Sequence, residues 1–241
     1  MAFFDDIKTI LTNPKKFFMK VKDEKDIKKS MIFFLKIVGI YLIISFIFDS
    51  LIPILFNLNP ELLEIASILD LEVGFLIKII AIFFSLFSLV FSFFLLWGLS
   101  FVIAGIYHVL LMIFGTTKSY IETYKLYCYW SPMLLILTLL SVLNLFLFYF
   151  QKIDQKLFLY ITIGFIILFY IIYLIYSYYV LINGAKVLHE LSTARCIAAL
   201  IVIPWIIIIF IASLIILFFI SFFSVSSSGD IMTGNFINNF F

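Results

Sequence analysis

The sequence predicts an all-α, polytopic membrane helix bundle: five transmembrane helices preceded by amphipathic surface helices. Three observations predict it. Of 241 residues, 65% are hydrophobic and 12% charged, against roughly 45–50% and ~25% in a soluble globular domain. The apolar residues fall in blocks long enough to cross a hydrocarbon core of about 30 Å, which takes ~20 helical residues each. Nine of the sixteen Lys and Arg lie between Lys8 and Lys36, so one end of the chain is directed to an anionic surface.

Residues 1–30 form a cytoplasmic amphipathic interfacial segment. Phe3, Phe4, Ile7, Ile10 and Leu11 recur at helical spacing, with Asp5, Asp6 and Lys8 on the other face, the pattern of a short surface helix. Asn13-Pro14 ends it and starts a second helix, because asparagine caps well and proline is accepted at the first helical position. There Phe17 and Phe18 are expected in the lipid interface, with Lys15 and Lys16 on headgroup phosphates. A solvated charged tail is the alternative. A cleavable signal peptide is not expected, since the first long apolar run begins only near Met31.

Residues 31–223 form the five-span membrane domain, with spans at about 31–56, 74–115, 132–150, 157–182 and 197–223. Lys36 in the first span can snorkel to the headgroups, and Asp49 sits toward its far end as the one acid inside a span. Residues 57–73 carry Glu61, Glu64, Asp70 and Glu72 without a base, which reads as an outer connection. As one helix, Gly74 to Gly115 would be about 63 Å long at ~1.5 Å per residue, twice the hydrocarbon core. Splitting it at Trp97-Gly98 leaves a second half that is too short, so one long helix is expected. Thr116 to Ser131 mixes Tyr120, Tyr124, Tyr127 and Tyr129 with Lys118, Glu122 and Lys125, the chemistry of an elbow at the membrane–water boundary. Ser131-Pro132 starts the third span, and Gln151 to Lys156 is a tight turn. Asn183 to Cys196 is a polar connection, and residues 224–241 are a polar outer tail.

Counting bases orients the chain. With five spans the inner segments hold thirteen of the sixteen and the outer ones only Lys78, Lys152 and Lys156; with six the division is eleven against five. The positive-inside rule favours five. It places the chain in a cell membrane, multi-pass, with the N-terminus cytoplasmic and the C-terminus outside.

Several short pieces, in order, resemble the Yip (Rab-interacting) family of five-span membrane proteins. They are Leu11-Thr12-Asn13-Pro14-Lys15-Lys16-Phe17-Phe18, His108 to Gly115, Ser119-Tyr120, Glu122-Thr123, Tyr129-Trp130-Ser131-Pro132 and His189-Glu190-Leu191-Ser192. The Ile, Phe and Lys bias is that of a prokaryotic-type member. The resemblance implies a non-enzymatic membrane protein that organises membrane or recruits protein partners at the cytoplasmic face. Eukaryotic relatives bind prenylated Rab-type GTPases in vesicle traffic, whereas prokaryotic relatives have no assigned activity. The family-motif residues it singles out are His108, Gly115, Tyr120, Glu122, Tyr129, Pro132, His189 and Ser192.

Chemistry is sparse. No nucleotide-binding glycine loop, His-Glu-x-x-His or Gly-x-Ser-x-Gly occurs, so hydrolase and NTPase mechanisms have no residues to run on, and neither enzyme activity nor a cofactor is expected. His108, Cys128, His189 and Cys196 all fall at the cytoplasmic boundary, but their spacing lacks the character of a zinc motif; histidines satisfied by backbone, headgroups or nearby carboxylates are the expected reading. Asp49 with Ala81, Ser85, Ser88 and Ser92 on one face of the second span is the basis of an alternative function, a small channel or transporter; simple close helix packing accounts for the same small residues. A net charge of +2 argues against nucleic acid as a partner. The expected partners are a bilayer with anionic headgroups, proteins at the cytoplasmic face, and further copies of the chain.

Overall fold

A computed structural model describes residues 2–24, 26–52, 71–150 and 157–237. The acidic connection before residue 71, the turn at 151–156 and the last four residues of the tail lie outside the described residues, as do the side chains from 221 onward. Every regular element described is helical.

Two short helices, α1 (Ala2–Thr12) and α2 (Pro14–Val21), open the chain. Asn13 caps α2 by accepting from the Lys16 amide at 3.1 Å, with Pro14 at the first helical position, so the two helices meet with one residue between them. Asp26 caps α3 (Ile27–Ser45) in the same way, accepting from the Lys28 amide at 2.8 Å. Beyond Ser45 the helix widens to π geometry over Phe46–Leu51, the turn that carries Asp49.

Helix α4 runs unbroken from Leu71 to Ile113, 43 residues, about 64 Å and twice the hydrocarbon core. Gly115 closes it. At φ 93° this residue takes the left-handed conformation, the Thr116 amide reaches back to the Leu111 carbonyl at 3.1 Å, and the Gly115 amide bonds Met112. That is the Schellman arrangement, which glycine enters without the Cβ penalty. Helices α5 (Tyr120–Trp130) and α6 (Pro132–Phe150) follow, separated only by Ser131, where a proline without an amide hydrogen interrupts the ladder. Then come α7 (Leu157–Leu188), α8 (Thr193–Ile197) with a π-helical turn at Ala198–Val202, and α9 (Ile203–Ile237). Among the described residues, five helical stretches are long and apolar enough to cross a membrane: Ile27–Leu51, Phe75–Ile113, Tyr120–Leu143, Ile163–Leu188 and Thr193–Ile220.

The two ends of the bundle differ. The buried side chains come from α1, α2, the first half of α3, the last turns of α4 and the loop after it, α5, the start of α6 and residues 177–200. They converge on one end, which is also the end carrying the lysines of α1 and α2. Away from it the helices are apolar all round and exposed: Phe83, Phe87, Ile209 and Phe210 each keep more than 60% of their surface. Such helices suit lipid as their solvent.

Four expectations change in detail. Phe17 and Phe18 are 1% and 0% exposed; they enter the protein core rather than the lipid, because α2 lies on α7 where Gly184 leaves room for a ring. The stretch around Tyr120–Trp130 is a buried helix and not a boundary elbow, since Thr123, Tyr124, Leu126, Cys128 and Tyr129 are enclosed by α3, α4 and α7. Helix α7 continues past residue 182 to Leu188, because Leu181, Ala185 and Leu188 bury one face at helical spacing. The backbone of α9 stays helical past Phe223 to Ile237.

Candidate functional site

The packed basic end is assembled around α5. An aromatic chain runs through it: Phe3 against Phe33 at 5.3 Å between centroids, Phe33 against Tyr129 at 5.3 Å, and Tyr129 edge-on to Phe17 at 5.0 Å. These contacts join α1, α3, α5 and α2. The Tyr176 hydroxyl on α7 donates to the Leu11 carbonyl at the end of α1. The Trp130 indole donates to Ser177 at 3.1 Å, tying α5 to α7. Gly184 is where α2 touches α7: a Cβ there would stand 2.4 Å from Leu126 Cδ1 and 2.7 Å from two carbons of the Phe18 ring.

Inside this end lies a polar chain. The Thr123 hydroxyl is 2.9 Å from His108 Nδ1 and 3.2 Å from His189 Nε2, and His189 Nδ1 is 3.0 Å from the Thr116 hydroxyl. His189 is 3% exposed. Burial, with the charges of His108 and Lys118 adding to it, pulls its pKa down to about 4, so at neutral pH the ring is uncharged and serves as a hydrogen-bond link. Tyr120 sets its ring edge-on to His108 at 5.8 Å and donates to the Phe101 carbonyl at 2.8 Å.

A buried cation lies nearby. Lys125 is fully enclosed, its ammonium donating to the Glu24 carbonyl at 2.6 Å and standing 2.9 Å from Glu122 Oε2. That last approach lacks hydrogen-bond alignment; it is an electrostatic contact. The Tyr129 hydroxyl donates to Glu24 Oε2 at 3.0 Å, so the segment between α2 and α3 is fastened to α5 by both backbone and side chain.

Glu190 is a clamp on the surface. It is the one non-glycine residue at positive φ (55°) among the described residues, and its carboxylate takes Lys22 at 2.9 Å and Lys118 at 3.0 Å. These hydrogen bonds hold its pKa down to about 2 and raise that of Lys22. Three separate segments meet there: α2, the α4–α5 loop and the α7–α8 loop. Ser192 caps α8 through the Arg195 amide at 3.5 Å, and the guanidinium of Arg195 lies 3.5 Å from the position of a Cβ on Gly115. Pro132 is buried at the start of α6.

The structure thus brings His108, Tyr120, Glu122, Tyr129 and His189 to one end, with Gly115 and Ser192 in the loops that close it. Lys15, Lys16 and Phe4 lie exposed on the outer surface of α1 and α2, while Phe3 and Pro14 are partly or fully covered. Sequence reasoning missed Thr116, Lys125 and Gly184 as site residues and quoted Thr123 only as the neighbour of Glu122. Each has an ordinary neighbourhood in sequence; only Gly184, beside Ala185 within an apolar helix, carries the small-residue signal of close approach. Cys128 packs with Phe34, Val38 and Tyr124, and Cys196 with the other cluster that includes Leu181 and Leu188; no group of three or more metal-ligating side chains converges among the described residues.

At the other end of α3, Asp49 lines a cavity of about 130 Å³ with Ser45 and Ser50 of its own helix and Ser85, Ser88 and Ser92 of α4.

Residues 8–216 match the family model described as the Yip1 domain. No curated protein and no solved structure matches the chain.

Proposed function

This chain belongs to the Yip1 domain family, and on that premise we propose that it is a non-enzymatic protein whose packed basic end is a platform at the cytoplasmic face of a cell membrane. The platform organises the membrane or recruits protein partners. The positive-inside bias supports this placement, with the N-terminus cytoplasmic and the C-terminus outside. One observation carries the reading: α2 is built into the bundle through Phe17, Phe18 and Gly184 and α1 through Phe3 and the Leu11 carbonyl, leaving the exposed Lys15, Lys16 and Lys20 in a fixed array. A fixed array of cations presents a defined surface to anionic headgroups or to an acidic protein partner. The mechanism is therefore display from a rigid roof, with Phe4 as the exposed apolar contact, rather than insertion of α2 as a wedge.

The test uses full-length protein and a variant lacking residues 1–22, reconstituted at equal density. Loss of vesicle deformation, or loss of a partner photo-crosslinked at position 28, an exposed position that both proteins keep, is expected in the truncated protein. Identical behaviour of the two would overturn the platform.

A second reading rests on the Asp49 cavity. An ionisable group facing five hydroxyls within a span, on a π-helical turn, is the arrangement of a small-solute or cation path. Flux in liposomes abolished by Asp49→Asn supports it; absence of flux for any ion or small solute tested removes it.

A further inference from the structure

A cleft of about 420 Å³ opens between α1, α2 and the beginning of α3. Its size falls in the range of small-ligand sites, ~300–1,000 Å³. The floor is apolar and aromatic: Phe3, Phe33 and Tyr129 stand in the ring contacts already described. The walls are charged. Lys20 pairs with Asp6 at 2.9 Å and Lys29 with Glu24 at 3.6 Å, while Lys36 lies 5.4 Å over the face of the Phe3 ring. Among the described ion pairs Lys36 has no carboxylate, so the three lysines and two acids of the wall leave the cleft with one net positive charge.

The position of the cleft indicates what enters it. Lys36 lies on the exposed face of α3 with Ile32 one turn before it and Gly39 and Ile43 after it. Ile32 and Ile43 are 40% and 55% exposed, and a Cβ added at Gly39 meets nothing within 4 Å. An open apolar track therefore runs from the cleft along the membrane span, on the side that faces acyl chains. A soluble peptide has no use for such a track.

We propose that this cleft binds one anionic glycerophospholipid. Its phosphodiester sits against Lys36 and Lys29, the headgroup hydroxyls reach Asp6 and Glu24, and an acyl chain lies along Ile32, Gly39 and Ile43. The single negative charge of the lipid neutralises the single positive charge of the cleft. The inference rests on the proposed platform only in placing the basic end at the headgroups. It differs from a diffuse attraction of lysines to a charged surface in requiring Lys36 in particular.

The test is lipid titration of the full chain in detergent, with phosphatidylglycerol, phosphatidylethanolamine and phosphatidylcholine of identical acyl composition, bound lipid being counted by native mass spectrometry. Phosphatidylglycerol is expected to bind most tightly. Lys36→Gln, which keeps the stem and removes the charge, is expected to weaken it on the order of tenfold, while Lys8→Gln and Lys28→Gln, on exposed positions outside the cleft, leave it unchanged. Gly39→Leu should weaken lipid binding by filling the track. Equal loss in all three lysine variants, no loss in Lys36→Gln, or preference for either zwitterionic lipid would overturn the proposal. Soluble glycerophosphate competing as strongly as the lipid would also overturn it. A failure here leaves vesicle deformation by the intact platform untouched, and failure of the truncation experiment leaves the lipid count untouched.

Discussion

Substituting Gly184 by alanine tests how firmly the N-terminal helices are joined to the bundle. The added methyl would stand 2.4 Å from Leu126 Cδ1 and 2.7 Å from Phe18 Cε2 and Cζ, whereas carbon atoms rest about 3.5–4.0 Å apart. Both neighbours must retreat by roughly 1 Å. Phe18 and Leu126 are 0% and 1% exposed, so neither side chain can swing into solvent, and the relief available is displacement of α2 from α7. Overpacking of this kind costs about 1–3 kcal/mol, offset by the ~1 kcal/mol that alanine gains over glycine in a helix. The net expectation is a loss of about 0–2 kcal/mol against the native protein and about 1–3 kcal/mol against an alanine placed in open space, read as a difference of a few degrees in melting temperature at roughly 2–4 °C per kcal/mol. Gly98→Ala is the control, since its Cβ meets nothing within 4 Å; it should be neutral or stabilising. The assay is thermal unfolding in one detergent, followed by limited proteolysis within residues 13–24. A Gly184→Ala protein as stable as Gly98→Ala, with unchanged proteolysis, would refute the contact.

Three further perturbations follow from the same end of the molecule. Lys125→Met removes a fully buried cation from beside Glu122 and should cost about 3–5 kcal/mol; adding Glu122→Gln should recover part of it in a double-mutant cycle, and strict additivity would contradict the pairing. His189, held neutral with its pKa near 4 against an ordinary 6.5, binds a proton in the unfolded chain before the folded one. Its contribution is therefore present above pH 6.5 and lost as the pH falls toward 4, by about 2–3 kcal/mol. Melting temperature measured from pH 7 to 4.5 should fall more steeply in the native protein than in His189→Asn, whereas parallel profiles would contradict the assignment. Glu190 acts in the same direction but lower, between its ordinary 4.5 and about 2, so the two can be separated by pH. Tyr176→Phe deletes the hydroxyl that holds the Leu11 carbonyl and should cost about 1 kcal/mol and speed proteolysis of residues 2–12; unchanged proteolysis would place the hold on α1 elsewhere.

Much of the architecture was legible because lipid imposes it: a segment that must satisfy its own backbone across ~30 Å has to be a long apolar helix, and such runs stand out in sequence. The α2 cap was legible too, since Asn13-Pro14 is a local signal read by local chemistry. What periodicity could not show is which solvent an apolar face meets. Phe17 and Phe18 have the spacing of an interfacial helix, but a phenylalanine facing lipid and one facing a glycine groove on a distant helix look the same in sequence. Gly184 decides between them from more than 160 residues away. Lys125 shows the same limit: amid tyrosines it reads as a boundary lysine, and only the fold encloses it between Glu24 and Glu122. The sequence places His108 and His189 at the same boundary, but the Thr123 hydroxyl that joins them belongs to a third segment. Asp49 and the serines of α4 were named together as one alternative, and the cavity they share depends on the register of two helices, which composition does not specify.

The platform requires α2 to be part of the folded bundle. Amide hydrogen exchange on the full chain in nanodiscs measures this directly, because opening of a backbone hydrogen bond reports local stability. Protection of Phe17–Val21 comparable to that of Tyr124–Tyr129 in α5 is the predicted result. Exchange of Phe17–Val21 within seconds, while α5 stays protected, would mean that α2 rides on the membrane surface on its own, and the platform would have no fixed roof.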